Sequence, residues 1–100
     1  MEIAKYILQI LRNQPIVVFS WGFHNAHALP NGLRFNVDGF KYTGVVEVSY
    51  NVGNDLFDVV LSGNNTKVED VYLDNLVEVI DNLVEKTSDY KHRVEVEYAL

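Results

Sequence analysis

The chain contains no cysteine, and this absence removes disulfides, thiol catalysis and every cysteine-ligated zinc or iron–sulfur site. Basic residues are also scarce, because eight Lys and Arg stand against fourteen Asp and Glu and leave a net charge of −6. A chain of this sign lacks the general attraction to phosphate backbones on which nucleic-acid binding depends. We therefore predict that the protein does not bind DNA or RNA directly.

Long apolar runs are missing too. The longest unbroken one, Ile16 to Phe19, has four residues, whereas a membrane-spanning helix needs about 18. No basic stretch followed by an apolar stretch opens the chain, so a secretion signal is not expected. Together with the lack of cysteine, these absences predict a cytoplasmic protein without a membrane segment.

What the chain does contain is the composition of an ordinary globular domain. Of its 100 residues, 48% are hydrophobic, 12% aromatic and 22% charged, which excludes a disordered tail or a low-complexity chain. It has no internal repeat and no shift in composition that would mark a linker. We therefore expect residues 1–100 to form a single domain.

In the N-terminal third of the chain, two segments have a recognisable secondary-structure pattern and a third has none. Apolar residues at helical spacing predict an amphipathic helix from Glu2 to about Asn13, ended by Pro15, which lacks an amide hydrogen. The run from Ile16 to Trp21 is β-branched and aromatic almost throughout, which favours a strand buried on both faces. From Gly22 to Gly32 there is no periodicity, so this stretch is expected to be a loop.

Two β-hairpins follow, with turns at Asp38-Gly39 and at Gly53-Asn54. The pairs expected in the first hairpin are Val37 with Phe40, Phe35 with Tyr42 and Leu33 with Gly44. The pairs expected in the second are Val52 with Asp55, Tyr50 with Phe57, Val48 with Val59 and Val46 with Leu61. In both hairpins the large apolar side chains share one face, and a register shift of one residue would separate them.

A long helix is predicted after the second hairpin. Thr66 and Glu69 have the spacing of a capping box, and the apolar stripe that follows covers about half of the helical wheel. The helix would run from Thr66 to about Lys86 and lie across the sheet. The last stretch, Asp89 to Leu100, alternates as a strand does, although a helix also fits.

These elements predict an α+β fold. An antiparallel β-meander of three to five strands is covered on one face by two helices, in the order α-β-β-β-β-α with a further strand at the C-terminus as an option.

The stretch from Trp21 to His27 is the first candidate site. His24 and His27 lie three residues apart beside the rings of Trp21 and Phe23, and imidazoles serve as metal ligands or general bases. A metal would need a third ligand, such as His92 or a carboxylate, and we assign no metal. The two aromatic residues either close the edge of the core or form a contact site for a protein partner.

Acidic side chains form the second candidate site, along one edge of the predicted C-terminal helix. The residues are Asp70, Asp74, Glu78, Asp81 and Glu85. A step of four residues rises about 6 Å, similar to the spacing of phosphates along a nucleic-acid strand, so the row resembles DNA as a DNA-binding enzyme meets it. A solvated helix face that keeps the protein soluble has the same pattern.

The remaining motifs argue against catalysis. Lys91-His92-Arg93 is a basic cluster too small for a nucleic-acid footprint. The chain has no phosphate-binding glycine-rich loop, no G-x-S-x-G and no H-E-x-x-H motif. We predict no catalytic residue and no cofactor, and hence a protein that is not an enzyme.

Four short segments give the chain a resemblance to small uncharacterised proteins of bacterial phages and mobile elements. The segments are Glu2-Ile3-Ala4, Leu33-Arg34-Phe35, Asp55-Leu56-Phe57-Asp58 and Val71-Tyr72-Leu73-Asp74-Asn75-Leu76. The chain departs from that group in the stretch that bears His24 and His27. The resemblance implies a mobile-element setting and no catalytic residue.

Three hypotheses for the function follow. The leading one is a non-enzymatic interaction or regulatory module that binds a protein partner through Trp21, Phe23, His24 and His27, with self-association through a sheet edge as one form. The second is an acidic nucleic-acid mimic that inhibits a DNA-binding enzyme, with the acidic row as its contact site. The third is a histidine-dependent metal hydrolase.

Overall fold

The computed structural model describes residues 2–85. Two helices come first, α1 (Ile3–Arg12) and α2 (Pro15–Ser20). The strands that follow are β1 (His24–Leu29), β2 (Gly32–Asp38), β3 (Thr43–Asn51), β4 (Leu56–Leu61) and β5 (Thr66–Val71). A 3₁₀ turn (Leu73–Asn75) then leads into helix α3 (Leu76–Val84). Within residues 2–85 the strands form one antiparallel sheet in chain order, and the predicted α+β meander with flanking helices is confirmed.

The core lies between the sheet and the helices on one of its faces. Alternate residues of the central strands point to this helix face and are buried: Leu33, Phe35, Val37, Val46, Val48, Phe57, Val59 and Leu61. The helices cover them with Ala4, Ile7, Leu11, Leu76, Val77, Ile80 and Val84. On the opposite, outer face the strands carry polar residues, among them Arg34 and Glu47, whose Nη2 and Oε1 atoms form an ion pair at 2.9 Å.

The hairpin of β3 and β4 has the predicted register, but its last pair is Asn51 with Leu56. Val52 and Asp55 belong to the turn, so the predicted pair between them is wrong. Val46 lies opposite Leu61, Val48 opposite Val59, and Tyr50 opposite Phe57. The prediction succeeded because a period-2 pattern on both strands leaves one register in which all the large apolar side chains meet on one face.

The hairpin of β2 and β3 exists, but its register differs from the prediction by four residues. Val37 lies opposite Gly44, not opposite Phe40. The connection is a longer loop that docks on the end of α3, where the backbone N–H groups of Lys41 and Tyr42 donate to the Val84 carbonyl oxygen at 2.8 and 3.3 Å. Because four is an even number, the shift leaves the same side chains facing the core.

The predicted buried strand from Ile16 to Trp21 is wrong, since these residues form α2 and its C-cap. Pro15 occupies the first turn of the helix, where its fixed φ is helical and its missing N–H costs nothing. Gly22, with φ +67°, follows the C-cap and allows the left-handed conformation that commonly ends a helix. The preference of Pro15 for a helix start and of Gly22 for a helix end outweighs the β propensity of the residues between them.

The predicted loop from Gly22 to Gly32 is also wrong over most of its length. Residues His24–Leu29 form β1, and Pro30-Asn31 is a two-residue connection to β2. The strand is irregular between His24 and His27, where Asn25 has φ 53°. This irregularity removes the alternating pattern by which a strand is recognised in a sequence.

The predicted helix from Thr66 to Lys86 is wrong in its first part. Thr66–Val71 is β5, and α3 begins only at Leu76. The backbone N–H of Thr66 donates to Asn64 Oδ1 at 3.1 Å. This hydrogen bond belongs to a turn and not to the start of a helix. The predictions for residues 89–100, and for the cluster at residues 91–93, lie outside the described residues.

None of the helices within residues 2–85 has both the length and the apolar character that crossing a membrane requires.

Tyr50 lies at the edge of the core, and its hydroxyl has a raised pKa. Its ring packs against Tyr6 and Phe57, with centroids 5.7 and 5.1 Å away, and its hydroxyl donates to Asp55 Oδ1. The hydrogen bond to the carboxylate, followed by desolvation, raises the pKa of Tyr50 to about 12. Because the neutral form is the one stabilised, the contribution to folding is complete below pH ~10 and is lost as the pH rises toward 12.

We expect Tyr50 to titrate near pH 12 in an alkaline NMR titration of the ring carbons. In Asp55→Asn, which keeps an acceptor but removes the charge, the pKa of Tyr50 should fall toward 10. A wild-type Tyr50 that titrates near the ordinary tyrosine pKa of about 10 would show that the hydrogen bond to Asp55 does not form.

Candidate functional site

Helix α2 is apolar and yet buries none of its residues completely. Ile16 is 84% exposed and Phe19 is 85% exposed, the highest values among the large hydrophobic residues that the structure describes. The two residues are three positions apart and so lie on the same side of the helix. They form an apolar ridge that points away from the core.

The ridge is held in place by its neighbours. A helix of six residues is not stable alone, but Val17 and Val18 are half-buried against the core. The backbone adds a further restraint, because the Trp21 N–H donates to the Val18 carbonyl oxygen and the Gly22 N–H to that of Phe19, both at 3.1 Å. The exposed side chains are therefore presented on a fixed element.

A groove lies on each side of the ridge. The α1–α2 groove has a volume of about 280 Å³ and is lined by Leu8, Leu11, Arg12, Val18, Phe19 and Phe23. The α2–loop groove is lined by Ile16, Phe19, Ser20, Asp38, Phe40 and Glu85. We call the ridge and the two grooves the α2 surface.

Burial of the ridge would release a substantial free energy. Covering a fully exposed Ile or Phe side chain contributes about 1.5–3 kcal/mol, and clustered exposure of this kind in a small protein marks an interaction site more often than single exposed residues do. The arrangement can bind another apolar surface. Arg12 in one groove and Asp38 in the other add a charge of opposite sign on each side.

The two predicted aromatic contact residues occupy different environments. Trp21 is fully buried, its ring stacks on Phe35 with centroids 6.5 Å apart, and its Nε1–H donates to Asp81 Oδ1 at 2.9 Å. Phe23 is half-buried, lies 4.7 Å from Phe35 between ring centroids, and lines the α1–α2 groove. Trp21 thus offers no surface to a partner, whereas Phe23 offers part of its ring.

The two predicted histidines lie on β1, outside the α2 surface. His24 and His27 are both exposed, and His24 Nδ1 donates to the Gly22 carbonyl oxygen at 2.7 Å. Among residues 2–85, no group of three or more His, Asp and Glu side chains is arranged to hold a metal ion.

The predicted row of acids is distributed over three elements. Asp70 lies in β5, Asp74 in the 3₁₀ turn, and Glu78 and Asp81 in α3. Asp81 accepts the hydrogen bond from Trp21, and Glu85 is buried and accepts the backbone N–H of Phe40 at 2.9 Å. The expected single helix edge is therefore wrong, because its first third is a strand.

Sequence reasoning missed Ile16 and Phe19 because it placed them in a buried strand. The available signal was the pair of residues at the ends of the run: Pro15 favours a helix start and Gly22 a helix end. A helix this short cannot bury four large apolar residues on one side, so the exposure of two of them follows from that assignment.

No protein-family model, no curated protein and no solved structure matches this chain.

Proposed function

We propose that this protein is a non-enzymatic interaction or regulatory module that binds a protein partner through the α2 surface. The observation that carries the proposal is the exposure of Ile16 and Phe19, 84% and 85%, on a helix that begins at Pro15 and is held at its C-terminal end by backbone hydrogen bonds. An apolar ridge on a fixed element loses little conformational freedom on binding, so most of the burial free energy goes into affinity. The half-buried ring of Phe23 extends the same surface into the α1–α2 groove.

The proposed setting is the cytoplasm of a bacterium, with the gene on a phage or mobile element. Two features support this part of the proposal: the lack of cysteine, which fits a reducing compartment, and the resemblance of four segments to small proteins of such elements. A regulatory module of this kind would act by covering a surface of its partner.

The proposal is tested by affinity capture from a bacterial lysate with mass spectrometry, using wild type, Ile16→Ser/Phe19→Ser and Val52→Ser. Val52 is the matched control, because it is 76% exposed but lies in the turn between β3 and β4. The partner retained by wild type and by Val52→Ser should bind the double variant about 100-fold more weakly or less, since two apolar side chains are no longer buried.

Two results would contradict the proposal. One is a partner that binds the double variant as well as wild type. The other is a partner lost from a charge-reversed variant, Asp74→Lys/Glu78→Lys, but kept by the α2 variant, which would favour the acidic nucleic-acid mimic.

A further inference from the structure

β1 is an edge strand whose second side is open in the described part of the chain. Among residues 2–85 it pairs with β2 alone. Every residue from His24 to Ala28 is exposed, and Leu29 is half-buried. Such an edge presents backbone N–H and C=O groups that can hydrogen-bond to a further strand.

The register shows which backbone groups point outward. The Asp38 N–H donates to the Trp21 carbonyl oxygen at 2.7 Å, so Asp38 directs its backbone groups to the β1 side of β2. Because these directions alternate along a strand, Arg34 also faces β1, and Leu33 faces β3. Ala28 lies opposite Leu33 and therefore directs its N–H and C=O away from β2, toward the open side.

The opposite edge strand, β5, carries both charges and an irregular point, whereas β1 carries no charge and its irregularity is confined to the stretch between His24 and His27. On β5, Lys67, Glu69 and Asp70 place charges along the edge, and Asp70 has φ 58° at an irregular point of the pairing. Charges and bulges are the usual means of blocking an edge. β1 contains no Asp, Glu, Lys or Arg, and beyond His27 its pairing with β2 is regular.

The α1–α2 groove adjoins the N-terminal end of β1. Phe23 lines this groove and directly precedes the strand. Ala28 lies opposite buried Leu33 and so is on the helix face, as is Ala26 two residues earlier. Both alanines are exposed, so the helix face beside the edge holds only methyl groups and has room for larger side chains.

The room beside the two alanines indicates which apolar side chains a bound segment would need. A second copy that added its own β1 would bring only Ala26 and Ala28 to the helix face and would leave the groove unfilled. An extended segment with large apolar residues at every second position would cover both alanines and place a side chain against Phe23. The period of a strand puts the residues between them on the outer face.

The charges along the edge indicate which side chains the bound segment would place on its outer face. The outer side of the edge carries His24 and His27, and His27 lies opposite Arg34. Arg12, in the groove, forms no ion pair within residues 2–85. The groups along this edge that can carry charge are thus cationic, apart from Glu47 paired with Arg34 and Asp38 at the end of β2, and acidic side chains are complementary to the cationic ones.

We propose that the open side of β1 and the α1–α2 groove form a β-augmentation site, which takes an extended segment of a partner protein that alternates large apolar and acidic residues. The inference rests on the proposed function, because it gives the binding mode for the partner of the α2 surface. The backbone of the segment bonds to Ala28, and its apolar side chains enter the groove beside Phe19 and Phe23.

The test uses the full chain and a fluorescein-labelled peptide in which valine alternates with glutamate, followed by fluorescence anisotropy. Ala28→Pro removes the outward N–H and should weaken binding about tenfold or more, whereas Ala28→Ser, which keeps the N–H, should change it less than about threefold. A control peptide of the same composition, with the residues arranged in like pairs, should bind about tenfold more weakly than the alternating one. Equal binding by both variants or both peptides would overturn the proposal.

Amide exchange on the wild-type chain tests the same site without any variant. The Ala28 amide should exchange quickly in the free protein and about tenfold more slowly with saturating peptide. Slow exchange before the peptide is added would overturn the proposal, since the edge would then already be occupied by a second copy or by residues 86–100.

The outcome separates this inference from the proposed function. If the partner found by capture is lost from Ile16→Ser/Phe19→Ser but binds Ala28→Pro as well as wild type, the α2 surface is the contact site and strand addition is wrong. If both variants retain the partner, both proposals are wrong.

Discussion

Trp21→Ala is expected to lower the free energy of unfolding by about 3–5 kcal/mol. Trp21 is fully buried and stacks on Phe35, so its removal leaves a cavity between α2 and the sheet. It also removes the donor to Asp81 Oδ1 and leaves a half-buried carboxylate with one hydrogen bond fewer. Because small domains have a total stability of about 5–15 kcal/mol, urea denaturation followed by circular dichroism should show a large decrease in the midpoint.

Trp21→Phe provides the matched control. It keeps an aromatic ring in the same space but has no N–H, so we expect a loss of about 1–3 kcal/mol, intermediate between wild type and Trp21→Ala. A loss below about 1 kcal/mol for Trp21→Ala would mean that the ring is not part of the core.

Gly39→Ala is expected to destabilise the protein by about 2–3 kcal/mol. A methyl group on Gly39 would collide with the carbonyl oxygen and side chain of Val84 at the end of α3. That oxygen accepts the N–H groups of Lys41 and Tyr42, so displacement of the helix end would also weaken two hydrogen bonds. The loss should be visible in urea denaturation.

Gly53→Ala is the control for Gly39→Ala. Gly53 lies in the exposed turn between β3 and β4, where the nearest atom to an added methyl group is Asn51 Oδ1 at 3.3 Å. The free energy of unfolding of Gly53→Ala should stay within about 0.5 kcal/mol of wild type. Equal losses in the two variants would show that the loop after β2 does not dock on α3.

The sequence predicted the parts of the fold in which one pattern had no competitor. The register of the β3–β4 hairpin was predictable because the alternation on both strands agrees, although the turn is longer than the two residues predicted. α1 was predictable from its spacing. The run after Pro15 was not, because residue type favoured a strand and the end residues favoured a helix. In β5, Thr66 and Glu69 matched a capping box by coincidence.

The candidate site was harder to predict than the fold. The sequence singles out Phe23 as a candidate contact residue, and the structure places it, half-buried, in the α1–α2 groove; its role in binding stays a prediction. Trp21, two positions earlier, is aromatic as well, but only the packing against Phe35 shows that it is buried. Ile16 and Phe19 required the secondary structure first, because an apolar residue is exposed or buried according to the side of the element on which it lies.

The most direct test of the proposed role of the α2 surface is the free energy of unfolding of Ile16→Ser/Phe19→Ser, measured by urea denaturation. Because we propose that these side chains serve binding and not folding, the free energy of unfolding of the double variant should lie within about 1 kcal/mol of wild type. A loss of about 3 kcal/mol or more, as two buried apolar residues would give, would contradict it and return α2 to the core of the protein.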